Sequence, residues 1–381
     1  MRVLLTNHAL AQRAGTELWV RDVAMALLAR GHAPVAYSPR LGEVAAELRR
    51  ATVPVVDDLD RLGEAPDLVH GHHHLETVTA LLHFPSAPGL FVCHGWLPPQ
   101  EAPPRLGRIR RYVAVDDVAR ERLIAEHGIP PAQVCMLRNF VDLAAFAPRS
   151  PLPPRPARAL VFSNQASEET FVPVLRAACA AEGLSLDVVG AAQGTSVERP
   201  GELLGRYDVV FAKGRAALEA AAVGAFVIVC DAAGLGPAVL PGDLPRLRAL
   251  NFGVRLLTEP LGAEAVRARL ALYDPLAASV VRERLRGEAG LEQAMEALLA
   301  VYAEVLAEHA AAPAPDRGAE LREVARYLRW GPVQAQTDLA AEMVWMRGSA
   351  TWRWRNRLLR WRPLRAVYRR VSRRRPPVPP R

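Results

Sequence analysis

Short apolar runs alternate with segments of helical period along most of this chain, and that alternation limits it to a parallel α/β architecture. Residues 2–6 are an apolar run ending at polar Asn7-His8. Residues 18–30 carry apolar side chains at helical spacing (Leu18, Val20, Val23, Ala24, Leu27, Leu28) and stop at Gly31-His32. Residues 34–38 form the next strand, so the chain opens as a strand–helix–strand unit, whose crossover makes the strands parallel. The pattern predicts helices over 41–51, 75–82 and 118–127, and strands over 53–56, 67–70, 89–93, 111–115 and 134–137. Residues 149–158 hold four prolines, which suit neither a helix nor a central strand, and read as a linker. A second series follows: strands 159–162, 186–189, 209–211 and 226–230, helices 171–182 and 216–223, and a short helix closed by Leu203. Helices over 263–272, 276–286 and 291–308 finish the body. The expected division is 1–150, 157–310 and 319–381: two Rossmann-like parallel-sheet domains facing a cleft, then a helical basic extension. Two such sheets in series place a ligand cleft between the carboxyl ends of their strands.

At 381 residues, half of them hydrophobic, the chain has the material for two cores. Its net charge of +8 is unevenly placed. Thirteen arginines and no acid lie between Arg347 and Arg381, leaving 35 basic against 40 acidic residues elsewhere, about −5. A mildly acidic body with a strongly basic end points to an interaction tail, not a basic globular surface. Residues 320–330 and 339–346 read as helices, and from Ala350 arginines interleave with Trp and Tyr. That composition over residues 350–375 suits an anionic membrane surface, with Arg on lipid phosphates and Trp at headgroup level. Nucleic-acid binding and a solvated, disordered end are the other two readings of the tail, and no nucleic-acid partner is expected. Cys93, Cys135, Cys179 and Cys230 lack CxxC spacing and read as small core residues of a reducing compartment. With no signal-peptide core and no apolar run near the ~20 residues that span a bilayer, the expected place is the cytoplasm, peripheral on the inner face of its membrane.

Lys213 is the single lysine of the chain. It sits in Tyr207-Asp-Val-Val-Phe-Ala-Lys213-Gly214-Arg215-Ala-Ala-Leu-Glu219, which reads as a buried strand, a glycine turn and the start of a helix. The N-terminus of a helix attracts anions through free N–H groups and its dipole. Two cations flank this one, and a carboxylate lies inside the helix. The set suits a sugar diphosphate, with positive charge for phosphates and a carboxylate for hydroxyls. An ordinary strand-to-helix turn with solvated charges is the competing reading.

Several segments resemble GT-B glycosyltransferases of the family 4 type. Gly15-Thr16-Glu17, then Leu28-Ala-Arg-Gly-His32, is similar to the family's Gly-Gly-x-Glu opening followed by Leu-x-x-x-Gly-His. Pro66-Asp-Leu-Val-His-Gly-His72 resembles its Pro-Asp-Val-Val-His-x-His strand, and Val92-Cys-His94-Gly95 supplies a His after a strand. The most specific match runs from Val113 through Gly128-Ile-Pro130 to Asn139-Phe-Val-Asp142 and Phe146-Ala-Pro148. The likeness covers roughly residues 1–310. Two departures mark the donor site. The family's Glu-x7-Glu has its second member at Glu219, but the first falls on Phe211. The phosphate-clamping cations of the family's first strand and helix in that domain are replaced by Ser163-Asn164-Gln165.

The resemblance implies transfer of a sugar from a nucleotide diphosphate donor, UDP-sugar favoured, to an envelope glycan or lipid-linked acceptor, without metal or other cofactor and with retention at the anomeric carbon. It assigns Gly15, Lys213, Gly214, Arg215 and Glu219 to the donor, Lys213 and Arg215 replacing the missing clamp. It assigns His94 to the donor sugar or the reaction centre and Glu17 to the acceptor side. Asn139 and Asp142 read as turn-forming. The run His70-Gly-His72-His73-His74 is not read as a metal site, because adjacent side chains at a strand end point in different directions. A catalytically silent sugar- or nucleotide-binding protein and a sugar-nucleotide epimerase are the rival expectations.

Overall fold

The computed structural model describes residues 1–95, 99–195, 197, 199–313, 316–331 and 333–334. The segments read from sequence as a helix at 339–346 and a membrane-docking tail at 350–375 lie outside the described residues. The chain divides into two units, Met1–Glu320 and Leu321–Arg381. The first unit contains two sheets.

The first sheet is built from β1 (Arg2–Thr6), β2 (Ala33–Tyr37), β3 (Val55–Val56), β4 (Leu68–Gly71), β5 (Gly89–Cys93), β6 (Ile109–Ala114) and β7 (Val134–Met136). Their order is β3-β2-β1-β4-β5-β6-β7, and every pairing is parallel. The crossovers carry α1 (Gly15–Ala29), α2 (Glu43–Arg50), α3 (His74–His83) and α4 (Asp117–Glu121), the last continued by a π-helical turn over Arg122–Glu126. The strand order reverses between β1 and β4, so their carboxyl ends open a crevice.

The second sheet holds β8 (Arg158–Phe162), β9 (Ser185–Val189), β10 (Val209–Ala212), β11 (Phe226–Asp231) and β12 (Gly234–Ala238), in the order β12-β11-β10-β8-β9. Here the order reverses between β8 and β10. The connecting helices are α5 (Val172–Ala181), α6 (Pro200–Leu204) and α7 (Arg215–Val223). Then come α8 (Leu244–Ala249), α9 (Ala263–Leu270), α10 (Pro275–Glu288), α11 (Leu291–Ala311) and α12 (Arg317–Leu328). β12 pairs antiparallel with β11 at the sheet edge. The sequence pattern does not show β12, because Gly234, Gly236 and Pro237 are poor strand residues; an edge position tolerates a proline that cannot donate to the ladder. The strands and helices expected from periodicity otherwise appear within a few residues of their predicted bounds.

α11 departs from the expected domain division. Its residues fall within 157–310 on sequence, yet its buried face joins the core of the first sheet. Met295, Leu298, Tyr302 and Val305, all with no solvent exposure, pack with Val3, Leu5, Leu90, Val92 and Val113. The Tyr302 hydroxyl pairs with His70 Nδ1. Arg111 on β6 fastens the solvent side of α11, with Nη1 donating to Glu308 at 2.7 Å. The driving force is apolar burial, worth about 1.5–3 kcal/mol per large side chain; exposed ion pairs of this kind add about 1 kcal/mol or less.

Leu298→Ala is therefore expected to cost about 2–5 kcal/mol in urea unfolding, whereas Leu276→Ala, at a residue 74% exposed on α10, changes stability by no more than ~0.5 kcal/mol. Equal effects would show that α11 does not close the first core.

Candidate functional site

Lys213 and Gly214 form the turn between β10 and α7. Gly214 takes φ 62° and ψ −134°, a conformation that a side chain makes costly. A Cβ there would meet nothing within 4 Å, so the backbone angle and not crowding calls for glycine. Its N–H donates to Phe252 O at 2.9 Å, which fixes the turn. No side chain caps α7, leaving its first N–H groups free to face a ligand. Across the cleft, α1 likewise starts without a side-chain cap, at Gly15.

Both helix starts border one cavity of ≈ 550 Å³ between the carboxyl ends of the two sheets. The first lobe contributes Arg13, Gly15, Leu18 and Arg21 to its wall. The second contributes Ser163, Asn164, Gly190, Lys213, Arg215 and Glu219. Asn164 Nδ2 donates to Arg13 O at 3.2 Å, tying the two walls together.

The charges of this cavity form a continuous chain. Arg215 donates from Nε to Glu219 Oε1 at 2.6 Å and from Nη2 to Asp22 on α1. Asp22 Oδ1 accepts from Arg21 Nη2 at 2.6 Å, and Arg21 Nη1 donates to Glu47 Oε2 at 3.1 Å. Glu47 also binds Arg13. Lys213 pairs separately with Asp231, the last residue of β11. Burial alone would push the Asp22 carboxyl up, but Arg215 and Arg21 outweigh it and hold it below the ordinary carboxylate range. Burial disfavours the Arg215 charge, and Asp22 with Glu219 more than restore it. Arg215 Nη1 remains buried without a partner, a donor left over at the cavity wall.

Behind this wall stands a stack of imidazoles. His70 and His72 lie parallel, 4.7 Å between centroids, and His72 and His94 follow at 4.9 Å. His72 Nδ1 and His94 Nε2 share a hydrogen bond of 2.7 Å. Trp19 packs against all three rings at 5.0–5.4 Å. Burial lowers His70 to about 3 and takes His72 and His94 well below their ordinary value, so all three are neutral near pH 7. Neutral imidazoles donate and accept hydrogen bonds but are no source of protons. Among the described residues no three His, Cys, Asp or Glu side chains are grouped to hold a metal ion.

The structure brings together Gly15, Lys213, Arg215 and Glu219 on the cavity wall, with Gly214 setting the turn behind them. Glu219 does not stand free for a ligand's hydroxyls as the sequence suggests, since its Oε1 holds Arg215. His94 is drawn out of the wall by its stack with His72 and Trp19. Glu17 also lies off the wall; Thr16 Oγ1 donates to it at 2.9 Å, and burial raises its pKa. Asp142 caps its turn, accepting from Ala144 N at 3.0 Å, and Asn139 bonds Asn251 across the lobes at 3.0 Å. Sequence reading missed Asp22, Arg21, Glu47 and Asp231. Asp22 carried a usable signal: it lies on the buried face of α1 with Trp19, Val20, Val23 and Ala26, where a carboxylate needs a cation.

Two outcomes follow. Asp22→Asn strips two buried arginines of their shared anion and is expected to destabilise by about 3–5 kcal/mol, read by urea unfolding; a loss near zero would mean that the chain of charges holds nothing. Glu101 stands beside His94, accepting from the backbone N–H groups of Gly95 and His94, and burial pushes it up to about 7 despite Arg122. A carboxyl raised on folding favours the folded state below its unfolded value, 4.5. Stability should then fall as pH rises from about 4.5 to 7, and Glu101→Gln should flatten that slope. An unchanged pH profile in the variant would contradict this.

Residues 13–145 match the sequence profile described as Glycosyltransferase Family 4. No curated protein matches the chain at a significant level. Among solved structures, a glycosyltransferase from Rickettsia africae superposes with a TM-score of 0.59 at 16% identity, over 80% of this chain and 98% of its own. The Anabaena protein HepE in complex with UDP and glucose gives 0.56 at 13%, over 80% and 99%. A putative UDP-N-acetylglucosamine 2-epimerase from Listeria monocytogenes gives 0.52 at 14%, over 83% and 98%. The chain has the GT-B fold of these proteins, and its first lobe carries the sequence pattern of family 4 glycosyltransferases.

Proposed function

We propose that the protein transfers a sugar from a nucleotide diphosphate sugar, with UDP as the favoured nucleotide, to a hydroxyl of an envelope glycan or lipid-linked acceptor. The observation that carries this reading is the ≈ 550 Å³ cavity between the lobes, where two uncapped helix starts, Gly15 on α1 and Gly214 on α7, converge with Lys213 and Arg215. HepE, of like fold, was solved with UDP-glucose as well as with UDP and glucose.

In such a transfer the acceptor oxygen bonds to the anomeric carbon and gives up its proton, which the departing diphosphate takes. The bond from that carbon to the diphosphate breaks, and the diphosphate keeps the electron pair. Stabilising the departing charge is the main demand on the protein. Lys213 has three ammonium donors and one carboxylate partner, so donors remain for phosphate oxygens. The spare Nη1 of Arg215 and the free N–H groups of α7 add to them. Asp22 and Glu219 hold the Arg215 guanidinium fixed, so little reorganisation is needed when charge develops. The set needs no metal. His94 is neutral and held behind the wall by His72 and Trp19, so no sugar contact is placed on it. Retention at the anomeric carbon rests on the family resemblance, and membrane docking rests on the composition of residues 350–375.

An epimerase reading is favoured by the likeness to the Listeria protein. Incubation with a UDP-sugar and no acceptor separates the two: an epimerase interconverts the free donor, whereas a transferase leaves it intact or hydrolyses it slowly. Lys213→Ala should weaken UDP binding by about 1.5–3 kcal/mol, roughly ten- to hundred-fold in Kd, by calorimetry. Unchanged affinity would remove the phosphate role from Lys213 and with it the core of this reading.

A further inference from the structure

A second cavity, ≈ 570 Å³, lies where the chain crosses from the first sheet to the second, and it shares no wall residue with the donor cleft. It is framed by the segment after β7, by α8, by the end of α10 and by the start of α11. Its most unusual wall residue is Arg248, on α8. This side chain is only 9% exposed, yet no carboxylate lies within 4.0 Å of it among the described residues. Among the described residues its side chain makes one hydrogen bond, from Nη1 to the carbonyl of Asn139 at 2.8 Å. Burial drives its pKa down to about 10, Arg138 adds repulsion, and Glu288 offsets only part of this from a distance.

A buried guanidinium without a counter-charge is costly, since it keeps its proton and forfeits its hydration. Several other arginines with little exposure sit against acids: Arg108 against Glu320, Arg149 against Asp208 and Arg215 against Asp22 and Glu219. Arg248 instead meets two more cations at the same cavity. Arg284 is anchored by Pro241 O at 3.1 Å, and Arg138 is loosely paired with Asp117 at 3.4 Å. Glu288 is the only acid on the described wall. The 21-residue helix α11 starts here after Gly290 without a side-chain cap; Leu291 N–H is taken by Val141 O at 2.9 Å, and the next N–H groups of the first turn add to the positive field.

We propose that this cavity is an anion site that takes a small phosphomonoester, with the phosphate on Arg248, Arg284 and the start of α11. The cavity is far larger than one oxyanion requires. Leu137, Ala294 and Ala297 offer an apolar bed for the organic part, and Gln293 offers an amide for its hydroxyls. The site is independent of the donor cleft: it stands or falls whether or not the transferase reading holds. Because its wall comes from both lobes, an occupant would join the two.

The test is a melting-temperature titration of the full chain with glucose 6-phosphate, inorganic phosphate and glucose, at ionic strength held constant with chloride. The wild type should melt several degrees higher with glucose 6-phosphate, by preferential binding to the folded state, and should not respond to glucose. A comparable rise with inorganic phosphate would support the site and assign the ligand to the free oxyanion. Arg248→Met should abolish the rise and Lys213→Ala should keep it. Should Arg248→Met fail to fold, the double variant Arg138→Gln/Arg284→Gln, at two exposed residues, should reduce the rise at least several-fold. No rise in the wild type, or a rise kept in the Arg248 variant or, failing that, in the double variant, would overturn the proposal. So would a rise that vanishes with Lys213→Ala, since the anion would then sit in the donor cleft.

Discussion

The guanidinium of Arg215 cannot shed its proton, and nearly every charged feature of the cleft follows from where it finds anions. It stands at the first residue of α7, 10% exposed, and takes Glu219 from its own helix and Asp22 from the opposite lobe. Satisfying it recruits Arg21, then Glu47, then Arg13, so five further charged side chains are ordered by one demand. The product is a wall whose charges are nearly balanced but whose donors are not used up. Such a wall attracts an anion less by net charge than by hydrogen-bond donors already held in place, which is the economical way to meet charge that appears only during reaction.

The same accounting separates the two cavities. In the donor cleft each cation has an acid beside it, and the unused capacity lies in single N–H groups. At the crossing between the lobes Arg248 has no carboxylate within 4.0 Å among the described residues, and Glu288 on the same wall offsets its charge only in part. Arg149 with Asp208 shows a closed arrangement: the pair meets at 3.0 Å, and Asp208 accepts backbone N–H groups as well. Arg248 has no such partner among the described residues.

Much of the fold was legible because periodicity reports burial directly. Strands β5 and β10 are uninterrupted apolar runs, as strands covered on both faces must be, and β1 carries one at its centre, Val3-Leu4-Leu5. What stayed hidden has identifiable causes. β12 is built of Gly, Leu and Pro and looks like a loop until β11 supplies its partner. The allegiance of α11 is invisible because an apolar face says only that it is buried, not against which sheet. Within the site, Lys213, Gly214 and Gly15 were legible from turn chemistry and helix starts. The engagement of Glu219 with Arg215 was open to view as an i,i+4 pair, but the third member, Asp22, lies 193 positions away. The position of His94 depended on His72, just past β4, and on Trp19 of α1, which no local pattern encodes.

The placement of α11 has a consequence for how the chain comes to exist. Residues 1–136 contain every strand of the first sheet, but the wall that covers its inner core comes from Met295, Leu298, Tyr302 and Val305. During synthesis that sheet must wait, incompletely covered, until more than 150 further residues have been made. The two lobes are thus successive in translation but finish maturing together, and a ribosome that stops short of α11 leaves an adhesive half-protein, not an independent domain.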